Sequence, residues 1–260
     1  MITSTKNPKI QAVRSLLTRR SEREGQKAFV AEGVRLVEEA LLAGWPAREV
    51  YFSAQVSERG RKVAEGYAAR GAVVEEVSPA VMEALAGTEA PQGLLAVLQN
   101  YSLPLPKRPD FLLLADCLRD PGNLGTLLRS AAAAGAQAVL LPPKTVDAFS
   151  PKVLRSAMGA HFRLPIRSVD WTWLDDWRKR TPKPWRIFLA EAENGTPCWQ
   201  ADLRQPLLLV VGGEAEGARP ETLRRVDENL TIPMPGKSES LNAAVAASIL
   251  LFEIVRQRSL

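Results

Sequence analysis

Cysteine and histidine are scarce in this 260-residue chain, which has two of the first and one of the second. The spacing of Cys117 and Cys198 matches neither a disulfide framework nor a zinc site, and two free thiols fit a reducing compartment. With His161 alone, a histidine-rich metal site is excluded, and Ser/His/Asp chemistry could run only through that residue. No metal is expected, and any general base should be another residue type. Also missing is an apolar run long enough to cross a bilayer, and Met1-Ile2-Thr3-Ser4-Thr5-Lys6 lacks the apolar centre of a secretory signal. These absences read as a cytoplasmic protein with no membrane contact.

What is present is ordinary in amount and informative in placement. The chain is 46% hydrophobic and 24% charged, as in a soluble globular protein, and long enough for two α/β domains whose cores need no disulfide or metal. Its net charge is +5, and residues 1–27 carry an equal excess, with seven basic residues against Glu22 and Glu24. A basic surface of this kind attracts a phosphate backbone, although a solvated helix face has the same composition. The candidate RNA contacts are Lys6, Lys9, Arg14, Arg19 and Arg20, with Arg35 beyond them.

Asn100 to Asp110, with three prolines and little periodicity, reads as an extended linker between two regions of alternating strand and helix signals. The expected division is residues 1–100, a linker over 101–110, and 111–260. In the first region the pattern predicts helices over 8–20, 34–42 and 57–70 and one opened by Ser78-Pro79, with strands at Ala28–Ala31, Val50–Phe52, Ala72–Val77 and Leu94–Leu98. This is a small α/β sandwich. In the second, Phe111–Ala115, Ala138–Leu141, Leu164–Arg167, Ile187–Ala190, Leu207–Val211 and Leu230–Ile232 predict six strands. Several are continuous apolar runs that suit a parallel sheet covered on both faces. Helices are expected over 124–134 and 241–257, the latter with Val245, Ile249, Phe252 and Val255 as its apolar stripe.

Three segments combine glycine or proline with polar residues after an apolar strand, at the edge where open α/β sheets hold ligands. They run over Asp120–Ser130, Val211–Gly217 and Ile232–Asn242. Singly, each could be a turn or a helix cap. None spells G-x-G-x-x-G, and Gly236-Lys237-Ser238 is no P-loop, because Thr231 stands where the motif needs glycine.

In combination and order these segments resemble the three motifs of the SpoU (TrmH) branch of the SPOUT methyltransferases. The match comprises Asn123 and Arg129 six residues apart, G-x-E-x-x-G over Gly212–Gly217, and Ile-Pro-Met at 232–234 with Ser-Leu-Asn at 240–242. Lys6–Ile10 and Phe29–Val37 resemble the L30e/L7Ae-like substrate-binding domain that precedes many such enzymes. The resemblance implies an L30e-like α/β sandwich followed by a SPOUT α/β domain with a deep trefoil knot. It also implies S-adenosylmethionine as cofactor, methyl transfer to a ribose 2′-hydroxyl of RNA, and a homodimer with the final helix in its interface.

By match of motif, Gly212, Ile232 and Leu241 would hold the cofactor, with Met234 and the Ala190-Glu191 loop nearby. Asn123, Arg129, Glu214, Ser240 and Asn242 would form the reaction site. The family assigns hydroxyl activation to the arginine. A guanidinium that keeps its proton suits gripping a phosphate and stabilising a forming alkoxide equally well, and the pattern fits either role. Because a 2′-hydroxyl is common to every nucleotide, selectivity must come from the N-terminal domain. Its ribosomal-protein likeness favours ribosomal RNA, with transfer RNA, or an idle RNA-binding assembly protein, as alternatives. Tyr51, Phe52 and Tyr101 are further candidates for RNA contact, Phe52 more as a packing residue. His161 and Trp171, Trp173 and Trp177 read as structural.

Overall fold

The computed structural model describes residues 1–213, 217–236 and 239–259. It divides into two compact units, residues 1–101 with 149–162, and residues 102–148 with 163–260.

The first unit opens with helix α1 (Pro8–Thr18), capped by Asn7, whose side chain accepts from the Lys9 amide and whose neighbour Pro8 fits the first helical position. Where one helix over 8–20 was expected, the chain breaks at Arg19, in extended conformation, and restarts as α2 (Arg20–Gln26). Arg23 closes the corner. It is buried, and its Nη1 donates to the Leu16 carbonyl at 2.5 Å and the Leu17 carbonyl at 3.3 Å. One cation of the basic N-terminal stretch is therefore spent inside the unit. Arg23→Ala should strip the donors from these carbonyls and cost about 2 kcal/mol, read as a lower urea midpoint with unchanged slope.

Strands β1 (Ala28–Glu32), β2 (Ala47–Phe52), β3 (Val73–Glu76) and β4 (Leu94–Gln99) make one sheet in the order β1-β4-β2-β3. β4 runs antiparallel to both neighbours, and β2 and β3 are parallel. Between the strands lie α3 (Val34–Leu42), α4 (Glu58–Ala68) and α5 (Pro79–Leu85), the last two capped by Ser57 and Ser78. α1 and α5 bury Ile10, Val13, Leu16, Val81, Met82 and Leu85 on one sheet face with Val30, Tyr51 and Val97. Tyr51 is thus a core residue whose hydroxyl donates to Glu49 at 2.7 Å, which corrects its reading as an RNA contact.

The second unit begins with β5 (Phe111–Ala115), α6 (Pro121–Ala133) and β6 (Ala138–Leu141). The proline-rich segment ahead of β5 has no regular structure, but Leu105 packs against this unit's core. The next stretch, carrying α7 (Pro151–Ala157) and a 3-10 turn at Ala160–Phe162, belongs to the first unit, where Phe149 meets Phe29 at 5.0 Å between ring centroids and Phe162 meets Trp45 at 5.2 Å. His161 is buried in that turn beside Phe149, a structural place as expected. Then follow β7 (Ile166–Ser168), α8 (Trp171–Arg180), β8 (Arg186–Glu191), β9 (Thr196–Pro197), β10 (Leu207–Val211), α9 (Pro220–Leu223), β11 (Glu228–Thr231) and α10 (Ala243–Arg258).

The sheet has seven strands where six were expected, the addition being the two-residue β9, and every pairing is parallel. Its order is β7-β6-β5-β10-β8-β11-β9, so β10 enters between two strands formed earlier in the chain. Such an order gathers the C-terminal ends of β8, β10 and β11 side by side. Trp171, Trp173 and Trp177 pack at the margin of the core beside buried Trp185, in the structural role expected of them.

α10 reverses the expected apolar stripe. Ala244, Ala247, Leu250, Leu251 and Ile254 are buried, whereas Val245, Ile249 and Phe252 are 47%, 40% and 49% exposed. The helix is apolar nearly all round, and small residues on its inner face let it lie close to α6, where Ser130 and Ser248 join hydroxyls at 2.7 Å.

Candidate active site

A cavity of about 430 Å³ opens where β8, β10 and β11 end, at the carboxyl edge of the parallel sheet. Ala190 and Glu191 line it from β8, Gly212 from just beyond β10, Ile232 and Met234 from beyond β11, and Ser240, Leu241 and Asn242 from the entry to α10. Every residue expected to hold the cofactor therefore borders one space.

Glycine at 212 answers to sterics. A Cβ there would lie 2.7 Å from the Ala218 nitrogen and from the Gly217 carbonyl carbon, and one at 213 would lie 2.6 Å from the Cys117 carbonyl oxygen. Real Cβ atoms do not approach backbone so closely, so both positions require the missing side chain. Gly213 and Gly217 exchange backbone hydrogen bonds at 3.2 and 3.0 Å and close a short loop, with Gly217 in the left-handed region at φ +63°. Glu214 lies outside the described residues.

The return of the loop is fixed from beneath by Asp116, a residue that the sequence reading missed. Fully buried at the end of β5, it accepts from the Arg219 amide at 2.9 Å, from Arg219 Nε at 2.8 Å and from the Thr222 hydroxyl at 2.5 Å. Arg219 also lies over the Trp171 ring, 5.5 Å from its centroid. A charge buried in this way is costly unless paired and hydrogen-bonded, and here both conditions hold. The available signal was a carboxylate ending an otherwise apolar run. Cys117, next in the chain, has φ +56°, and burial raises its thiol above the usual range.

Asn123 and Asn242, 119 residues apart, meet at the cavity's edge. Asn242 Oδ1 accepts from the Ala244 and Val245 amides at 3.0 and 3.3 Å, capping α10, and its Nδ2 donates to Asn123 Oδ1 at 3.0 Å. The cap reading of Asn242 holds, and the same cap dictates the orientation of the amide that meets Asn123. Asn123 sits in the first turn of α6, its amide held by the Asp120 carboxylate at 2.8 Å. Arg129 is exposed further along α6 and does not line the cavity. Six residues advance a helix roughly 9 Å and turn it onto another face. Among the described residues its guanidinium makes no hydrogen bond.

Lys6, Lys9, Arg14, Arg19, Arg20 and Arg35 are all exposed on the first unit. Lys9 pairs with Glu75 and Arg20 with Glu24, while Arg35 borders a second cavity. Phe52 is half-buried with Arg61 over its ring, and Tyr101, 40% exposed, lies on Trp45. Among the described residues no cluster of metal ligands occurs, and no helix is long and apolar enough to cross a membrane.

The family model described as SpoU rRNA methylase matches residues 110–252, and that of the MRM3-like substrate-binding domain matches residues 7–96. A relative from Bacillus subtilis, the 23S rRNA (guanosine(2553)-2′-O)-methyltransferase RlmP, is 35% identical over 97% of this chain and 98% of its own. The 23S rRNA (uridine(2479)-2′-O)-methyltransferase of Streptomyces viridochromogenes is 32% identical over 98% and 92%. Among solved structures, the SpoU methyltransferase AviRb of that organism in complex with AdoMet has a TM-score of 0.88 at 32% identity, covering 98% of this chain and 99% of that one. An AdoMet-bound rRNA methyltransferase from Sinorhizobium meliloti has a TM-score of 0.87 at 31% identity, covering 98% and 97%.

Proposed function

The chain belongs to the SpoU rRNA methylase family, and on that footing we propose that it transfers the methyl group of S-adenosylmethionine to a ribose 2′-hydroxyl of 23S ribosomal RNA. The observation that carries this reading is the cavity at the sheet edge, where the second and third motifs share one space with the Asn123–Asn242 hydrogen bond at its rim. Gly212 lets the backbone at Gly217 and Ala218 close against the cavity wall, Ile232 and Leu241 offer apolar walls for the adenine of the cofactor, and Met234, Ala190 and Glu191 complete its surround. The bound cofactor supplies an electrophilic methyl on sulfur.

The protein's own work is to orient the hydroxyl in line and to accommodate the proton it loses. Asn123 and Asn242, each a donor and an acceptor, with Ser240 beside them, suit the positioning. Arg129 suits the electrostatic part, because an exposed guanidinium with no hydrogen bond among the described residues is available for the target's phosphate and for charge developing on the 2′-oxygen. Residues 1–100 would bind the RNA and 111–260 would carry the reaction, and Lys6, Lys9, Arg14, Arg19, Arg20 and Arg35 supply cations for the backbone. The buried free cysteines fit a cytoplasmic setting. A second copy of the chain is the partner proposed for the outward face of α10, since Val245, Ile249 and Phe252 form an apolar strip that a monomer leaves in water.

The test is radiolabelled methyl transfer to ribosomal RNA from cells lacking the gene, with the product mapped as a 2′-O-methyl nucleotide. S-adenosylmethionine at a hundred times its Kd should stabilise the protein by about 2.7 kcal/mol, raising its melting temperature by several degrees. Gly212→Val, which drives a side chain against Gly217 and Ala218, should abolish both the shift and the transfer. A full shift in that variant would dissociate the cavity from the cofactor.

A further inference from the structure

The first unit holds a cavity of about 290 Å³ that methyl transfer leaves unused. Glu32, Arg35 and Leu36 line it from the β1–α3 junction, Ala90 and Gln92 from the segment before β4, and Arg155 and Met158 from the end of α7. Its polar groups are held in place yet have bonding capacity to spare. The Glu32 side chain, 8% exposed, accepts from the Gly87 amide at 2.9 Å and the Thr88 hydroxyl at 2.7 Å, and an ionised carboxylate has further lone pairs. Gln92 Oε1 accepts from the Val34 amide at 2.8 Å, leaving its Nε2 hydrogens uncommitted among the described residues. Arg155 approaches Glu32 only to 3.6 Å, and its Nη1 is buried without a hydrogen bond.

These features select a class of ligand. Glu32 and Glu39 balance Arg35 and Arg155 on the cavity's walls, so the interior carries no net positive charge to favour a phosphate over a neutral ligand. A neutral planar ring with donors on one edge and acceptors on another is what such walls can satisfy, with Leu36 and Met158 as apolar lining for its faces. Among nucleobases, guanine combines O6 and N7, the acceptor pair that arginine reads, with N–H donors that a carboxylate accepts. We infer that this cavity receives one unstacked guanine of the RNA substrate. The inference rests on the methyltransferase reading and supplies what that reading needs, a pocket that reads a base where the target hydroxyl itself carries no sequence information.

The experiment uses the full chain, S-adenosylmethionine and a transcript of 23S ribosomal RNA. Arg155→Gln removes the forked donors, and Ala90→Phe fills the cavity from an exposed position on its rim. Each should raise the KM for RNA about 10-fold, the scale of one lost base contact, with turnover at saturating RNA and cofactor-induced stabilisation unchanged. A transcript made with 7-deazaguanosine lacks N7 and should raise the KM of the parent protein but not that of Arg155→Gln. Unchanged KM in both variants, or an equal deaza penalty in parent and Arg155→Gln, would overturn the pocket while leaving the methyltransferase reading intact. Absence of methyl transfer by the parent protein would instead remove the reading beneath it. A free nucleotide offers the same edges, so stabilisation of the full chain by micromolar guanosine monophosphate would overturn an RNA occupant in favour of a small molecule.

Discussion

Replacing Arg129 by alanine is expected to lower kcat by about 100-fold to 1000-fold while leaving S-adenosylmethionine-induced stabilisation at its parental value. The two readouts separate because Arg129 does not border the cavity proposed for the cofactor. It is exposed on α6 and makes no internal hydrogen bond among the described residues, so its removal strands no buried partner. Arg129→Lys keeps the charge but not the planar fork, and should recover only a minor part of the loss if the guanidinium grips a phosphate bidentately. Loss of cofactor binding in Arg129→Ala would mean that the residue shapes the cavity, and full activity would remove it from the reaction site.

How far the sequence spoke for the fold depended on whether burial was two-sided. β5, β6 and β10 follow the expected bounds because each is a continuous apolar run covered on both faces, which no amphipathic helix mimics at that length. α10 was placed correctly along the chain and wrongly around its axis. Apolar residues surround it, so spacing could not tell the face packed on α6 from the face left outward. α8 gave a weak signal because Trp-Thr-Trp-Leu-Asp-Asp-Trp buries only Leu174 completely. β9 is too short to carry any pattern. The assignment of residues 149–162 to the first unit, and with it Arg155 to the second cavity, depends on tertiary contacts that no local period encodes.

Charge was misread where it was spent internally. Arg23, inside a basic run that suggested a surface, serves two helix carbonyls, and Asp116, which drew no notice beside glycine-rich turns, braces the loop that forms the cavity wall. Motif residues were easier to find because their spelling is local even though their meeting is not. Asn123 and Asn242 were named from separate segments, and their bond at 3.0 Å is a property of the fold alone.

That bond makes Asn242 the most discriminating position in the site, because its two functions can be removed separately. Aspartate is as good an N-cap as asparagine, so Asn242→Asp should keep the bonds to the Ala244 and Val245 amides and melt within a degree or so of the parent. It offers no N–H to Asn123 Oδ1, however, and sets a negative carboxylate against that acceptor. Asn123 would turn away, and misplacement of one positioning group on this scale should cost about 100-fold in kcat. Asn242→Ala removes the cap as well, and should add a loss of about 1 kcal/mol, or roughly 3 °C in melting temperature. If both variants lose activity and only alanine loses stability, the amide acts on the reaction through Asn123 and not through the helix. Equal melting temperatures would mean that the cap carries no weight in α10, and parental turnover in Asn242→Asp would release Asn123 from any dependence on its partner.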